Sequence, residues 1–360
     1  MINIEAVKEQ ILRNCDISDS KYAGFFSVCG LALRLRDLYK WEKGLAPWIE
    51  KDTTEILDWI GNKEQAWENL AEDDYHTIHL NGETYDPFDI NGINEVLVSH
   101  GIFYGAGYGR SLKPTFILAK IKQTRRINGC SVYVLGRELA RDLFTVPAFV
   151  QDDNIVIRTH SARTFLWDKI LYIRKSGRKA LAAALKNYGL NHGRPQDLKE
   201  LKQHLENISD SEVEVYIHHE LGEIQDTDFD RQVWREIIAA YPHTPIELLV
   251  RTIKDLLADT NEHGTFQYII KERKLSSLAF YVAFMESLPK KLFPLLSEAF
   301  EDFLKTKDWS VIDAAVSAGH QIAKNYAQTM THVFKQAKQK DDYQWAEQEI
   351  TRRLLKPLGL

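Results

Sequence analysis

The sequence predicts an α+β protein that is predominantly α-helical, with a helical N-terminal part (1–74), a small antiparallel α+β centre (75–158) and a helical C-terminal part (159–360). Three observations predict it. At both ends apolar residues recur every three to four positions, the period of a helix with one buried face. From Tyr75 the period shortens to two, and Asn-Gly pairs at 81–82 and 128–129 supply hairpin turns. Charge is segregated as well: residues 105–186 hold 16 Lys and Arg against 5 Asp and Glu, and the rest of the chain holds 30 against 46, giving a net charge of −5. A chain of 360 residues is long for one core, and its 44% apolar content is that of a folded protein rather than a disordered one.

The elements follow in order. Ile4, Val7, Ile11 and Leu12 share one side of a first helix. A second runs from about Tyr22 to Lys43, striped by Leu31, Leu35, Leu38 and Leu45 and ended by Gly44 and Pro47. Asp52 caps a third, with Glu55 placed to reach back and Ile56, Trp59, Ile60 and Trp67 on its buried side. His76 to Leu80 alternates into the Asn81-Gly82 turn. Phe116–Lys122 and Ser131–Leu135 flank Asn128-Gly129 as a β-hairpin with a cationic face. A helix over Arg137–Leu143 and a strand over Ile155–Arg158 complete the centre. Further on, breaks at Ser176-Gly177 and from Gly189 to Pro195 precede helices at 197–208 and 212–224. Thr244-Pro245-Ile246-Glu247 is a strong helix start, and Gly264 is the expected stop. Helices near 275–288, 290–306, 309–338 and 341–355 close the chain.

Cys15, Cys29 and Cys130 form no CxxC pair, which argues against a disulfide framework or thiolate zinc and fits a reducing cytoplasm. Cys29 is expected as a small core residue. Met1 to Cys15 lacks the apolar core of a signal peptide, and the longest nearly apolar run, Phe25 to Leu33, is far short of a bilayer span. The expectation is a soluble, cytoplasmic protein without a membrane partner. The sequence has no G-x-S-x-G elbow, P-loop ending or H-E-x-x-H motif, and no recognised nucleic-acid module.

Four phrases have a further implication. They are Cys29 with Leu31 to Glu42, then Tyr104 to Phe116, Gly136 to Leu143, and His218 to Glu223. They resemble a family of uncharacterised bacterial proteins of similar length, a domain of unknown function. The resemblance implies a standalone bacterial protein and brings neither an activity nor catalytic residues.

The leading functional expectation is a binding or interaction protein whose cationic centre takes an anionic ligand: nucleic acid, a phosphorylated metabolite or an acidic protein. Arg110, Lys113, Arg174 and Arg178 are the expected contacts. On a helix Arg174 with Arg178, and Lys175 with Lys179, share a face, and like charges at that spacing repel unless something anionic offsets them. Tyr104, Tyr108, Tyr133 and Tyr172 offer stacking surfaces if exposed. Acidic helices of the same chain could instead cover the basic surface, or copies could join head to tail as an oligomer. Gly105, Gly107 and Gly109 suggest a phosphate cradle only weakly, because an extended run rather than a helix follows them. Arg137 and Arg141 could together hold a carboxylate or phosphate, and Arg34 reads as an ion-pair or stacking residue.

The alternative is a helical metalloenzyme in which His219, Glu220, Glu223 and His263 hold a divalent metal. His219 and Glu223 lie one turn apart, and Glu220 falls within the apolar stripe of Val213, Ile217, Leu221 and Ile224, where a carboxylate needs a partner. Asp255, Asp259 and Glu262 lie opposite the stripe of Ile246, Leu249, Val250, Ile253 and Leu257. They are expected on a solvated face, with Arg251 pairing Asp255.

Overall fold

The computed structural model describes residues 2–190, 195–285 and 287–360, and the chain divides into two compact units, 1–168 and 169–360. The first opens with α1 (Ile4–Tyr22), α2 (Val28–Glu42) and α3 (Thr53–Glu68). The hairpin β1 (Ile78–Leu80) and β2 (Glu83–Tyr85) turns at Asn81 and Gly82, both with positive φ, and α4 (Ile90–Leu97) follows. Next come β3 (Ile102–Tyr108), β4 (Pro114–Ile127), β5 (Cys130–Arg141), β6 (Ala148–Gln151), β7 (Asn154–Arg158) and α5 (Thr159–Leu171). The α+β, mainly helical class is therefore as expected.

The main sheet has the order β3-β4-β5-β7-β6. All of its pairs are antiparallel except β5 with β7, so the sheet is mixed rather than purely antiparallel. On one face Val7, Ile11 and Cys15 of α1 join Ile93 and Leu97 of α4 against Ile102, Tyr104, Phe116 and Leu118. A second core, of Ile17, Leu35, Leu38, Trp67 and Leu70, ends at Leu143, just past β5.

Some boundaries differ from the sequence reading. A 3₁₀ turn at Ala23–Phe25 separates α1 from α2, and Ser27 caps α2 by accepting the Gly30 N–H at 3.2 Å. Phe25, Val28 and Cys29 stay exposed, so Cys29 is not a core residue. Glu55 accepts the Tyr39 hydroxyl instead of capping α3. Residues 137–143 are not a helix. Strand β5 continues to Arg141, with Glu138 opposite Ala119 and Arg141 opposite Ile117 across register shifts in β4. The helix-forming residues of this stretch are overruled by pairing with a buried strand, a case of tertiary context defeating local propensity. The glycine-rich stretch is ordinary ladder in β3, and the Gly109 N–H is spent on the Lys113 carbonyl at 2.8 Å, which leaves little for a phosphate cradle.

The second unit contains α6 (Arg178–Lys186), α7 (Pro195–Gln225), α8 (Arg231–Ala240), α9 (Pro245–Thr260), α10 (Thr265–Lys271) and α11 (Leu275–Phe284). It ends with α12 (Ser287–Leu292), α13 (Pro294–Thr306), α14 (Trp309–Lys340) and α15 (Tyr343–Ile350). Helix α7 is continuous where two helices were expected. Ser211 turns its hydroxyl back onto the Ile208 carbonyl at 3.0 Å and meets the Tyr188 hydroxyl at 2.5 Å, so this polar side chain is satisfied without a break in the helix. Helix α9 ends at Thr260, and Gly264 opens α10 rather than stopping α9. The reason is steric: a Cβ at Gly264 or at Gly222 would come within 2.0 Å of the Ala258 carbonyl oxygen. These two glycines let α7 and α10 close directly onto the end of α9. Among the described residues, no helix is long and apolar enough to cross a membrane.

Candidate functional site

Each unit contains a buried cluster of charge. In the first, Lys113 is only 3% exposed and lies between the carboxylates of Asp19 and Asp142, 3.0 Å from each. It also donates to Ser18 Oγ at 2.9 Å and to the Pro114 carbonyl at 3.2 Å. Asp142 accepts the backbone N–H groups of Phe116 and Phe144, and Asp19 that of Leu143. Burial pushes the Asp19 carboxyl up to about 7 despite Lys113, while the two aspartates push the lysine up against its own burial. Lys113, expected on a ligand-facing surface, is thus a strut between α1 and the ends of β4 and β5. A lysine entering a β-hairpin next to a proline carries no sequence sign of this, because its partners are 94 and 29 residues away.

Close by, Glu138 accepts Arg158 Nε at 2.9 Å and Ser161 Oγ at 3.0 Å on one oxygen, and Arg158 Nη2 at 3.0 Å on the other. Burial would raise this carboxyl, but Arg158 and Arg141 hold it down at about 2. Arg141 is the odd member. Its side chain is fully buried, its Nη1 stands 3.7 Å from Glu138, and none of its three nitrogens has a hydrogen-bond partner among the described residues. Its guanidinium carbon is 5.7 Å from the Trp41 ring centroid, and the Trp41 indole N–H donates to the Glu138 carbonyl at 3.2 Å. Nearer the surface, Arg34 lies over Phe26 at 4.6 Å and donates to the Leu143 carbonyl at 3.0 Å, the stacking role its sequence suggested. Burial lowers the Arg34 guanidinium, and Arg110 lowers it further against the opposing pull of Asp142 and Asp37. Arg110 itself is exposed.

Arg174 and Arg178 are exposed and belong to the second unit. They do not share a helical face: Arg174 is extended (φ −69°, ψ 155°) and α6 begins only at Arg178. Of the basic residues in 105–186, Lys113, Arg141 and Arg158 are buried, whereas Lys120, Lys122 and Arg126 are exposed toward the far end of the β4–β5 hairpin. Tyr104 is buried, and Tyr108 and Tyr172 are exposed.

In the second unit α7 brings His219, Glu220 and Glu223 to α9, which supplies Lys254, Asp255 and Asp259. One ring nitrogen of His219, Nδ1, is 2.8 Å from Asp259, and Nε2 is 4.0 Å from Asp255. Asp259 also accepts Thr265 Oγ1 at 2.6 Å and the Tyr281 hydroxyl at 2.8 Å. Burial alone would lower the His219 imidazole, but Asp259, with Glu220 and Asp255 behind it, raises it to about 10. Lys254 pairs with both Glu223 and Asp255 and lies 5.7 Å from the Trp234 ring centroid. Glu220 is 6% exposed and makes no hydrogen bond or ion pair among the described residues; burial pushes its carboxyl up to about 7.

His219, Glu223 and Asp255 each offer a donor atom within 4.8 Å of the others. His263 is not with them: its ring is 3.5 Å from Glu262, and its carbonyl meets His218 Nδ1 at 3.1 Å. The expected solvated face of α9 is corrected too. Asp259 is buried, and Arg251 pairs with Glu247 rather than Asp255, because α7 covers the side of α9 that the apolar stripe left open. Lys254 was missed. The Asp255–Asp259 repeat beside a lysine was its one visible signal.

The models of the N-terminal and C-terminal domains of a family of unknown function, DUF6866, match residues 6–158 and 163–353. No curated protein and no solved structure matches the chain.

Proposed function

The chain belongs to the DUF6866 family, whose function is unknown, and from the geometry we propose that it is a binding protein for a small anionic ligand carrying a phosphate or carboxylate group. The ligand is taken by the first unit between α2 and the end of β5, with Arg141 as anchor and Arg34 and Arg110 toward solvent. The observation that carries this reading is the Arg141 guanidinium, enclosed with no hydrogen-bond partner. A buried charged donor left unmet costs about 1–3 kcal/mol or more. Glu138 offers it only an ion pair at 3.7 Å, beyond hydrogen-bond distance, while Arg158 and Ser161 hold that carboxylate more closely. A phosphate or carboxylate presents two oxygens at the spacing of a guanidinium fork. The enclosure favours a single small group over a polymer backbone.

Thermal unfolding of the full chain against a panel of phosphate, phosphorylated sugars and di- and tricarboxylates tests this, with titration calorimetry as a second readout. At a hundred times its dissociation constant the right anion stabilises by about 2.7 kcal/mol. Arg110→Glu and Arg34→Gln, which lie outside the buried pairs, are expected to weaken that response. No stabilisation by any anion, or a shift unchanged in both variants, would overturn the proposal.

A second reading, a polyanion or acidic protein as partner, is favoured by the exposed Lys120, Lys122 and Arg126 of the hairpin. It requires heparin retention that falls steeply with salt and is lost when Lys120, Lys122 and Arg126 are changed to Glu.

A further inference from the structure

We infer that the second unit binds a divalent transition-metal ion through His219 Nε2, Glu223 and Asp255. The donors come from two helices held together where Gly222 meets the Ala258 carbonyl, so their backbones are fixed by close packing rather than by a loop. The three donor atoms lie within 4.8 Å of one another, and side-chain rotations of about 1 Å bring them to the 2.0–2.2 Å bonds of a nitrogen–oxygen site.

The surroundings are those of a metal-ligating histidine. Such an imidazole is oriented by a hydrogen bond from its other nitrogen to a carboxylate, which is in turn held by neighbours. Here Asp259 engages Nδ1 at 2.8 Å, and Thr265 and Tyr281 fix Asp259. Nε2 is thereby turned toward Asp255.

Glu220 is the independent observation. Next to His219 on α7, it is 6% exposed and has no hydrogen bond or ion pair among the described residues, although its carboxyl oxygens are not fully enclosed. A buried carboxyl without a cation is costly. Four carboxyl groups (Glu220, Glu223, Asp255 and Asp259) face two cationic side chains, His219 and Lys254. The local surplus is negative, and a divalent ion offsets it. Lys254, which now bridges Glu223 and Asp255, must swing away as the ion enters. One imidazole with carboxylates suits Mn²⁺, Fe²⁺ or Zn²⁺ better than Mg²⁺ or Ca²⁺, which favour all-oxygen shells.

The test is titration of the chelator-treated full chain with Mn²⁺, Zn²⁺ and Co²⁺, followed by calorimetry and by the visible bands of bound Co²⁺. The expected result is saturable binding that weakens at least about tenfold in Asp255→Asn and in His219→Ala, and by about 10- to 100-fold in Tyr281→Phe through the lost support of Asp259. Asp255 is half exposed, so Asp255→Asn keeps the fold even where His219→Ala does not. Lys254→Met, which removes the competing ammonium, is expected to bind more tightly than wild type. No saturable binding of any of the three ions, or binding that Asp255→Asn leaves unchanged, would refute the site.

Discussion

The two buried charge clusters are built from the same residue types but end with opposite remainders. Among the described residues of the first cluster the carboxylates are engaged: Asp19 and Asp142 with Lys113 and backbone N–H groups, Glu138 with Arg158 and Ser161 and, at 3.7 Å, with Arg141. The group left without a hydrogen bond is a cation, Arg141. In the second cluster the cations are engaged, Lys254 with Glu223 and Asp255 and His219 with Asp259, and the mostly buried group without a hydrogen bond or ion pair among the described residues is a carboxyl, Glu220. Internal ion pairs in a folded interior are expected to close on themselves. Where they do not, the sign of the residual group indicates the sign of what it is built to meet. The first cluster therefore points to an anion and the second to a cation.

The sharpest way to break this comparison is to remove the central lysine of each cluster. Lys113→Met strands two carboxylates that are each about 1% exposed, and is expected to cost about 3–5 kcal/mol. Lys254→Met strands Glu223 and Asp255, whose side chains are 18% and 49% exposed, and water can take over much of the lysine's role. Its cost is expected to be clearly smaller. Urea unfolding of both variants decides the point. Equal costs would mean that the second cluster is as closed as the first, which would remove the opening a metal ion needs.

pH separates His219 of the second cluster from Glu138 of the first. His219 is raised to about 10 by Asp259, so its contribution is fully present below about pH 6.5 and is lost as pH rises toward 10. Glu212 and Glu220, raised by burial to about 7, push in the same direction between about pH 4.5 and 7, and Asp19 of the first cluster, also raised to about 7, does so from about pH 4. Glu138, held at about 2, acts in the opposite sense: its contribution is present above about pH 4.5 and is lost as pH falls toward 2. Melting temperatures from pH 7 to 10 are expected to decline, and Asp259→Asn to flatten that decline. Glu138→Gln is expected to flatten only the acid limb. An alkaline decline that Asp259→Asn leaves untouched would show that the His219–Asp259 pair does not govern the second unit.

The fold was readable where periodicity and turn chemistry agree. Asn81-Gly82, Asn128-Gly129 and Thr244 to Glu247 each form the feature their residues specify. The clusters were readable only in part. His219 and Glu223 could be paired because helical spacing places them together, and Glu220 stood out as a charge in an apolar stripe. Asp259 was misplaced because a helical wheel knows one buried face, and α9 is covered on two. Arg141 was read on a helix because its charges sit four apart, whereas the pairing partner that makes it a strand residue lies 24 positions upstream, at Ile117. Contacts at such separations leave no local pattern for a single sequence to reveal.

The smallest contrast lies at the helix caps that carry the clusters. Ser27 caps α2, which bears Arg34 and Trp41, and Thr244 caps α9, which bears Lys254, Asp255 and Asp259. Loss of a cap typically costs about 1 kcal/mol. Ser27 is exposed and its hydroxyl makes a single bond among the described residues, to the Gly30 N–H, so water replaces part of it in Ser27→Ala. Thr244 accepts the Glu247 N–H and also donates to the Tyr241 carbonyl at 2.7 Å, while Glu247 accepts the His243 N–H and Arg251 Nε at 2.9 Å each. Thr244→Ala loosens that whole assembly and is expected to cost about 1–2 kcal/mol, against about 0.5 kcal/mol for Ser27→Ala. The rank matters more than the sizes. If Ser27→Ala proved the costlier change, α2 rather than α9 would be the helix held by its first turn, and Arg34 and Trp41 would depend on that cap for their placement around Arg141.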